Sequence, residues 1–142
     1  MEKRIFINCT KLIHELKHTN EIQQIHSLAL DISDEKCENG LIEIMNKITD
    51  NLTFNYRGTL FYACSVYDCS DYFSIIISNI ILGPYETAIE AYNLVLGNID
   101  YRKISKDTLR DSIQKMSIFN SELDHVEIIE ETVNFLKIKR DE

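Results

Sequence analysis

Residues 14–18, with the sequence HELKH, are the part of this chain whose residue types and spacing come closest to a catalytic pattern. They satisfy H-E-x-x-H, in which two histidines one helical turn apart bind zinc and the glutamate polarises a metal-bound water. Lys17 places a positive charge inside the motif, and no third ligand stands at a typical spacing, although Glu35 and Glu38 are candidates. We interpret the segment as the polar face of a helix and keep a zinc peptidase as the minor alternative.

Other catalytic patterns are missing from the sequence. There is no G-x-S-x-G nucleophile turn and no glycine fingerprint for phosphate or dinucleotide binding. His26 and His125 lie far apart, with no nucleophile pattern around them. We therefore expect a protein that is not an enzyme and uses neither a cofactor nor a metal.

The four cysteines, Cys9, Cys37, Cys64 and Cys69, show neither a C-x-x-C spacing nor a zinc-ligand pattern. The sequence therefore predicts free, buried thiols in a reducing compartment. The first six residues lack the apolar stretch of a signal peptide, and the longest apolar run, residues 75–82, is too short to span a bilayer. These features predict a cytoplasmic protein that does not enter a membrane.

The chain is acidic, with 23 Asp and Glu against 15 Lys and Arg and a formal net charge of −8. Such a charge repels the phosphates of nucleic acid and of anionic membranes, so neither is an expected partner. It attracts a basic protein instead. The alternative is that the charge serves solubility alone.

Apolar residues recur at helical spacing along most of the chain, which predicts a series of short helices. Gly83 suits the C′ position of one helix and Pro84 the N1 position of the next. The β-branched run within 71–82 is compatible with a strand, but its length and its place between two helices favour a helix. The expected N-caps are Asn20, Ser105 and Ser121.

Segments 25–45 and 59–78 align with a period of 34 residues, which pairs Ala29 with Ala63 and Asp34 with Asp68. A third copy begins at Thr87. A small alanine in the first helix of each pair lets the second helix approach closely, and only a neighbouring pair can cover the remaining apolar face. The pattern predicts an all-α protein of stacked antiparallel helix pairs, about seven helices in all. An unrelated helical bundle is the alternative.

Three segments resemble a known family: residues 56–63 (YRGTLFYA), 67–73 (YDCSDYF) and 85–92 (YETAIEAY). They are similar to bacterial HEAT-repeat proteins encoded beside toxins, among them immunity proteins of contact-dependent growth inhibition systems. The resemblance implies a short HEAT-like α-solenoid in a single domain over residues 1–142. Its repeat-like core would span 21–97 and its C-terminal capping helices 104–138. It also implies that the protein binds and neutralises a cognate toxin domain.

The charge distribution indicates where such a toxin would bind, because Gly58 to Tyr101 contains no Lys or Arg. In a helical stack the turns recur on one side, so acidic residues would form a ridge that mimics phosphate toward a basic toxin such as a nuclease. Tyrosines suit the centre of an interface. The predicted partner-binding residues are Asp34, Asp68, Asp71, Tyr72, Glu86 and Glu90.

Two other interpretations of these residues remain open. They can form an ordinary solvated face with tyrosines in the core. The chain can also belong to another functional class, a helical adaptor or scaffold such as a viral Bcl-2-like interaction module. That function requires an apolar groove in place of an acidic ridge.

Overall fold

The computed structural model describes residues 2–118 and 125–142, and the side chains of residues 8–118 and 125–142. Within these stretches every regular element is helical, which confirms the all-α class. Short 3₁₀ helices at Asn51–Tyr56, Cys64–Val66, Ser70–Tyr72 and Tyr101–Lys103 lie between some of the α-helices. The α-helices of the described residues are α1 (Glu2–His18), α2 (Ile22–Asp34), α3 (Gly40–Ile48), α4 (Arg57–Ala63), α5 (Phe73–Leu82), α6 (Tyr85–Gly97), α7 (Lys106–Ile118) and α8 (Val126–Asp141).

Helix α5 settles the ambiguous β-branched run, which is helical as predicted. β-Branched side chains lower helix propensity only slightly, and burial outweighs that cost. Phe73, Ile76, Ile77, Ile80 and Ile81 are all buried, so this helix is covered on several sides. No helix among the described residues has both the length and the apolar content needed to cross a bilayer.

The chain divides into two compact units, Met1–Tyr67 and Asp68–Glu142. The boundary falls inside the predicted repeat-like core. In the first unit α1 packs on α2, α3 packs on α4, and the pairs meet through α2 with α4 and α1 with α3. Their shared core includes Leu16, Ile25, Ile32, Ile44 and Phe61, each at most 1% exposed.

The second unit repeats this contact scheme. Helix α5 packs on α6, α7 packs on α8, and the two pairs meet through α6 with α8 and α5 with α7. Leu94, Met116 and Leu136 are buried between them. The three alanines that define the sequence repeat, Ala29, Ala63 and Ala91, are completely buried. Stacking of all pairs into one solenoid stays a prediction.

Of the predicted helix N-caps, Ser105 is confirmed and Asn20 is not. Ser105 caps α7 as predicted, because its Oγ accepts the backbone N–H of Thr108 at 3.0 Å. The prediction for Asn20 is wrong: α2 starts after Glu21, whose own N–H donates to Oγ1 of Thr19 at 3.3 Å. The prediction for Ser121 lies outside the described residues.

The junction between α5 and α6 differs from the expected Gly–Pro geometry. Gly83 is the C-cap of α5 with φ −78° and ψ 161°, an extended conformation, and Pro84 is the N-cap of α6. Glycine is required at this position because there is no room for a Cβ atom. A Cβ at Gly83 would lie 2.5 Å from the carbonyl oxygen of Asn79 and 2.9 Å from Cγ2 of Thr87.

The cysteine prediction is wrong for half of the set. Cys9 and Cys37 form a disulfide with a Cα–Cα distance of 5.5 Å, which joins α1 to the turn between α2 and α3. Cys64 and Cys69 are outside this disulfide and buried, as expected. The error arose because 28 residues separate the bonded cysteines in sequence, a spacing that carries no recognisable motif.

Candidate functional site

The six predicted partner-binding residues are divided between the two units. Asp34 ends α2 in the first unit and is exposed. The other five, Asp68, Asp71, Tyr72, Glu86 and Glu90, belong to the second unit. They form two groups there, one at the start of the unit and one on α6.

Asp68 is not a free surface carboxylate. Its Oδ2 accepts from Nζ of Lys103 at 2.6 Å, and its Oδ1 accepts from the backbone N–H of Ser70 at 3.0 Å and from the Ser70 hydroxyl. The hydrogen bond from Lys103, followed by those from Ser70, lowers the pKa of Asp68 to about 2. Lys103 therefore offsets the negative charge that the sequence alone assigned to this position.

The surroundings of Asp68 join the start of the second unit to the segment after α6. The backbone N–H of Cys69 donates to the carbonyl of Asn98 at 2.8 Å, and that of Asp100 donates to Oγ of Ser70 at 2.8 Å. Asp68, Asp100 and Asp71, in that order of influence, raise the pKa of Lys103. Three carboxylates thus surround one lysine, and the arrangement supports the local fold.

Tyr72 and Asp71 sit within the same turn. The backbone N–H of Tyr72 donates to the carbonyl of Cys69 at 2.9 Å, and its side chain is half-buried. Asp71 is exposed. Of the two carboxylates at the start of the unit, that of Asp71 forms no ion pair in the described residues.

Glu86 and Glu90 lie one turn apart on α6, so they share a helix face. Neither has a basic side chain within ion-pair distance in the described part of the chain. Tyr85 precedes them and is 53% exposed. We refer to Tyr85, Glu86 and Glu90 as the α6 acidic patch. Like Asp34 and Asp71, its two carboxylates form no ion pair in the described residues.

Two other tyrosines of the acidic region have structural roles. The hydroxyl of Tyr67 donates to the carbonyl of Cys37 at 2.8 Å, and burial raises its pKa to about 12. Burial first, and then a hydrogen bond to Glu131, raises the pKa of Tyr92. Tyr67 therefore holds the turn between α2 and α3, and Tyr92 joins α6 to α8.

The first unit contains a groove that no sequence pattern predicted. Its volume is about 650 Å³, and helix α1, the α2–α3 turn and the start of α3 form its walls. Ile42 is 51% exposed although it is aliphatic, and the Cys9–Cys37 disulfide is part of the wall. The lining residues are Cys9, Thr10, Ile13, His14, Lys17, Glu35, Lys36, Cys37, Glu38, Asn39, Ile42 and Glu43.

Part of the H-E-x-x-H segment faces this groove. His14 lines it together with Glu35 and Glu38, the two candidates for the third ligand of a zinc site. Nδ1 of His18 donates to the carbonyl of His14 at 2.8 Å, and the two rings lie 4.3 Å apart. In the described residues no three His, Cys, Asp or Glu side chains converge as a metal site.

Comparison with known protein families, with curated proteins and with solved structures finds no significant match for this chain. Inference about function therefore depends on the two surfaces described above, the α6 acidic patch and the groove of the first unit.

Proposed function

We propose that this protein is an immunity protein, which binds a cognate toxin domain and neutralises it by covering its active site. The proposal is supported by the all-α class, by the buried alanines of the repeat and by the acidic surface of the second unit. That unit carries 14 acidic and eight basic side chains, so most of the net negative charge of the chain belongs to it.

The observation that carries the proposal is the uncompensated charge of the α6 acidic patch. Elsewhere in the second unit basic side chains pair with nearby carboxylates: Lys103 with Asp68, Arg102 with Asp100 and Arg110 with Asp107. Glu86 and Glu90 have no such partner in the described residues. Their charge is available to a cationic cleft, such as the substrate site of a basic nuclease.

The mechanism is occlusion without a chemical step. The carboxylates of Glu86 and Glu90 would take the place of substrate phosphates, while the exposed ring of Tyr85 supplies apolar contact area next to them. Opposite charge accelerates encounter, with association rates up to about 10⁸ M⁻¹s⁻¹ at low salt. Buried contacts would then set slow dissociation.

The test is co-expression with the product of the neighbouring gene, followed by binding kinetics and protection from toxicity. We expect Glu86→Lys combined with Glu90→Lys to slow association by roughly tenfold or more and to abolish protection. The matched control is Asp107→Lys with Asp111→Lys, an equal charge change at the same spacing on α7. Raising the salt concentration should slow association of the parent protein.

Loss of protection in both double variants would show that net charge matters and the α6 acidic patch does not. Unchanged kinetics in the α6 variant would contradict electrostatic docking at this surface. Circular dichroism of both variants serves to exclude unfolding as the cause.

The groove of the first unit favours a second candidate, a helical adaptor that accepts an apolar segment of a partner. Here the exposed Ile42 would be the main contact, and binding would depend little on salt. Ile42→Asp should then abolish binding, whereas the α6 double variant should leave it intact. The reverse pattern supports the immunity function.

A further inference from the structure

The Cys9–Cys37 disulfide is placed where a solute can reach it. Both cysteines line the groove of about 650 Å³ in the first unit. The two residues differ in access: Cys37 is 1% exposed, whereas Cys9 is half-buried on the side of α1. An incoming thiolate attacks the sulfur that it can approach, so access selects Cys9.

Cys37 is held in place independently of its disulfide. Its backbone N–H donates to the carbonyl of Ile32 at 3.1 Å, and its carbonyl accepts from Gly40 N–H at 3.0 Å and from the Tyr67 hydroxyl at 2.8 Å. Cleavage of the S–S bond leaves these contacts intact. The released sulfur of Cys37 therefore stays beside Cys9, ready to attack a new disulfide there and close the original bond again.

The groove also carries charges of both signs. Lys17 and Lys36 line it together with Glu35, Glu38 and Glu43, and Lys17 pairs with Glu43 at 3.5 Å. A peptide thiol with free carboxylates and a free ammonium group can pair with both kinds of side chain. Apolar groups beside the disulfide, such as Ile13, would cover its aliphatic part.

We propose that Cys9 is a reversible thiol-exchange site for a zwitterionic peptide thiol. The thiolate of the ligand attacks Sγ of Cys9, the Cys9–Cys37 bond breaks, and a mixed disulfide forms on Cys9. The electron pair of the broken bond stays on Sγ of Cys37, which takes up the proton that the ligand thiol released. Attack by Cys37 on the mixed disulfide reverses the step and frees the ligand.

The first experiment uses the parent chain with reduced glutathione as the probe. A short pulse is quenched with acid, free thiols are alkylated, and peptides are mapped by mass spectrometry. Alkylation is carried out in denaturant, because Cys37 is 1% exposed and Cys64 and Cys69 are fully buried. We expect one glutathione on Cys9 and the alkylating label on Cys37, Cys64 and Cys69. An adduct on Cys37, or no adduct on Cys9, would overturn the proposal.

The second experiment compares single-cysteine variants with glutathione disulfide. Cys9 in Cys37→Ser should form its adduct at least about tenfold faster than Cys37 in Cys9→Ser, because access differs. Equal rates would contradict selection of Cys9.

Recognition of the peptide part has its own test. At equal thiolate concentration, glutathione should react faster with the parent chain than 2-mercaptoethanol does. Lys36→Gln should slow the reaction with glutathione and leave the reaction with 2-mercaptoethanol unchanged. Equal rates for the two thiols would exclude recognition of a peptide thiol by the groove. None of these three experiments involves the toxin, so their outcome is independent of the proposed immunity function.

Discussion

The surroundings of Asp68 in the folded chain are less negative than its neighbours in sequence suggest. The span from Gly58 to Tyr101 lacks Lys and Arg, yet Lys103 reaches Asp68 from beyond that span at 2.6 Å. The ion pair and the Ser70 bonds hold the pKa of Asp68 at about 2. The carboxylate therefore acts first as a structural group at the start of the second unit.

This leads to a prediction about acid sensitivity. The pKa of Asp68 lies below the value of about 3.9 in an unfolded chain, so its stabilisation is present above that pH and is lost as the pH falls toward about 2. Because the pair is about half exposed, we expect Asp68→Asn to cost less than about 1 kcal/mol at neutral pH. Denaturant unfolding at pH 7, 4 and 2 measures the difference.

The cause of the shift can be tested separately by NMR titration of the Asp68 carboxyl carbon. Lys103→Met should raise the pKa of Asp68 toward its ordinary value, since the largest contribution comes from Lys103. Arg102→Met removes a neighbouring cation that pairs with Asp100 and should leave Asp68 unchanged. A low pKa that survives Lys103→Met would assign the shift to the Ser70 bonds instead.

At the scale of helices and turns, the α2–α3 turn is fixed by close packing around Gly40, the first residue of α3. A Cβ at Gly40 would collide with Cγ2 of Ile32 and with Oη of Tyr67, the hydroxyl that bonds to Cys37. We expect Gly40→Ala to reduce the free energy of unfolding by about 1–3 kcal/mol, the usual cost of overpacking.

Gly97, the last residue of α6, is the matched control for that change. A Cβ there meets no atom within 4 Å, and alanine favours a helix over glycine. Gly97→Ala should therefore be neutral or stabilise by up to about 1 kcal/mol. Urea denaturation compares the two variants, and equal losses would contradict the tight packing around Gly40.

Local pattern was sufficient to predict the helices. Apolar spacing predicted about seven helices where the described residues contain eight α-helices, and the hydroxyl of Ser105 caps α7 as its position suggested. The largest error came where a neighbour distant in sequence decides the geometry, because Cys37 meets Cys9 across 28 residues. The errors at Asn20 and at the Gly83–Pro84 junction are local ones.

The same distinction between local and long-range determinants applies to the candidate sites. The acidity of Glu86 and Glu90 is a local property that can be seen in the sequence; in the fold Glu86 is exposed and Glu90 is half-buried. The groove of the first unit is formed by α1 and the α2–α3 turn together, so no single segment could reveal it. Pairing of Asp68 with Lys103 also depends on the fold, because 35 residues separate the two.

At the scale of the whole molecule, the contact scheme occurs twice: two helix pairs form each unit, and each unit has its own buried core. The disulfide belongs to the first unit alone. A closed loop of this length stabilises the folded state by about 3–4 kcal/mol in the chain-entropy model. Removing it therefore tests whether the two units unfold together.

We expect replacement of both Cys9 and Cys37 by alanine to weaken hydrogen-exchange protection mainly in α1–α4. Protection there should fall by about 100-fold, which corresponds to about 3 kcal/mol, because the second unit retains its own core. Amides of α5–α8 should change by less than about threefold if sub-global opening of the first unit dominates. Treating the double variant with a reductant should not change its hydrogen-exchange protection further. An equal loss across all helices would instead mean that residues 1–142 unfold as one cooperative domain, as the sequence repeat suggested.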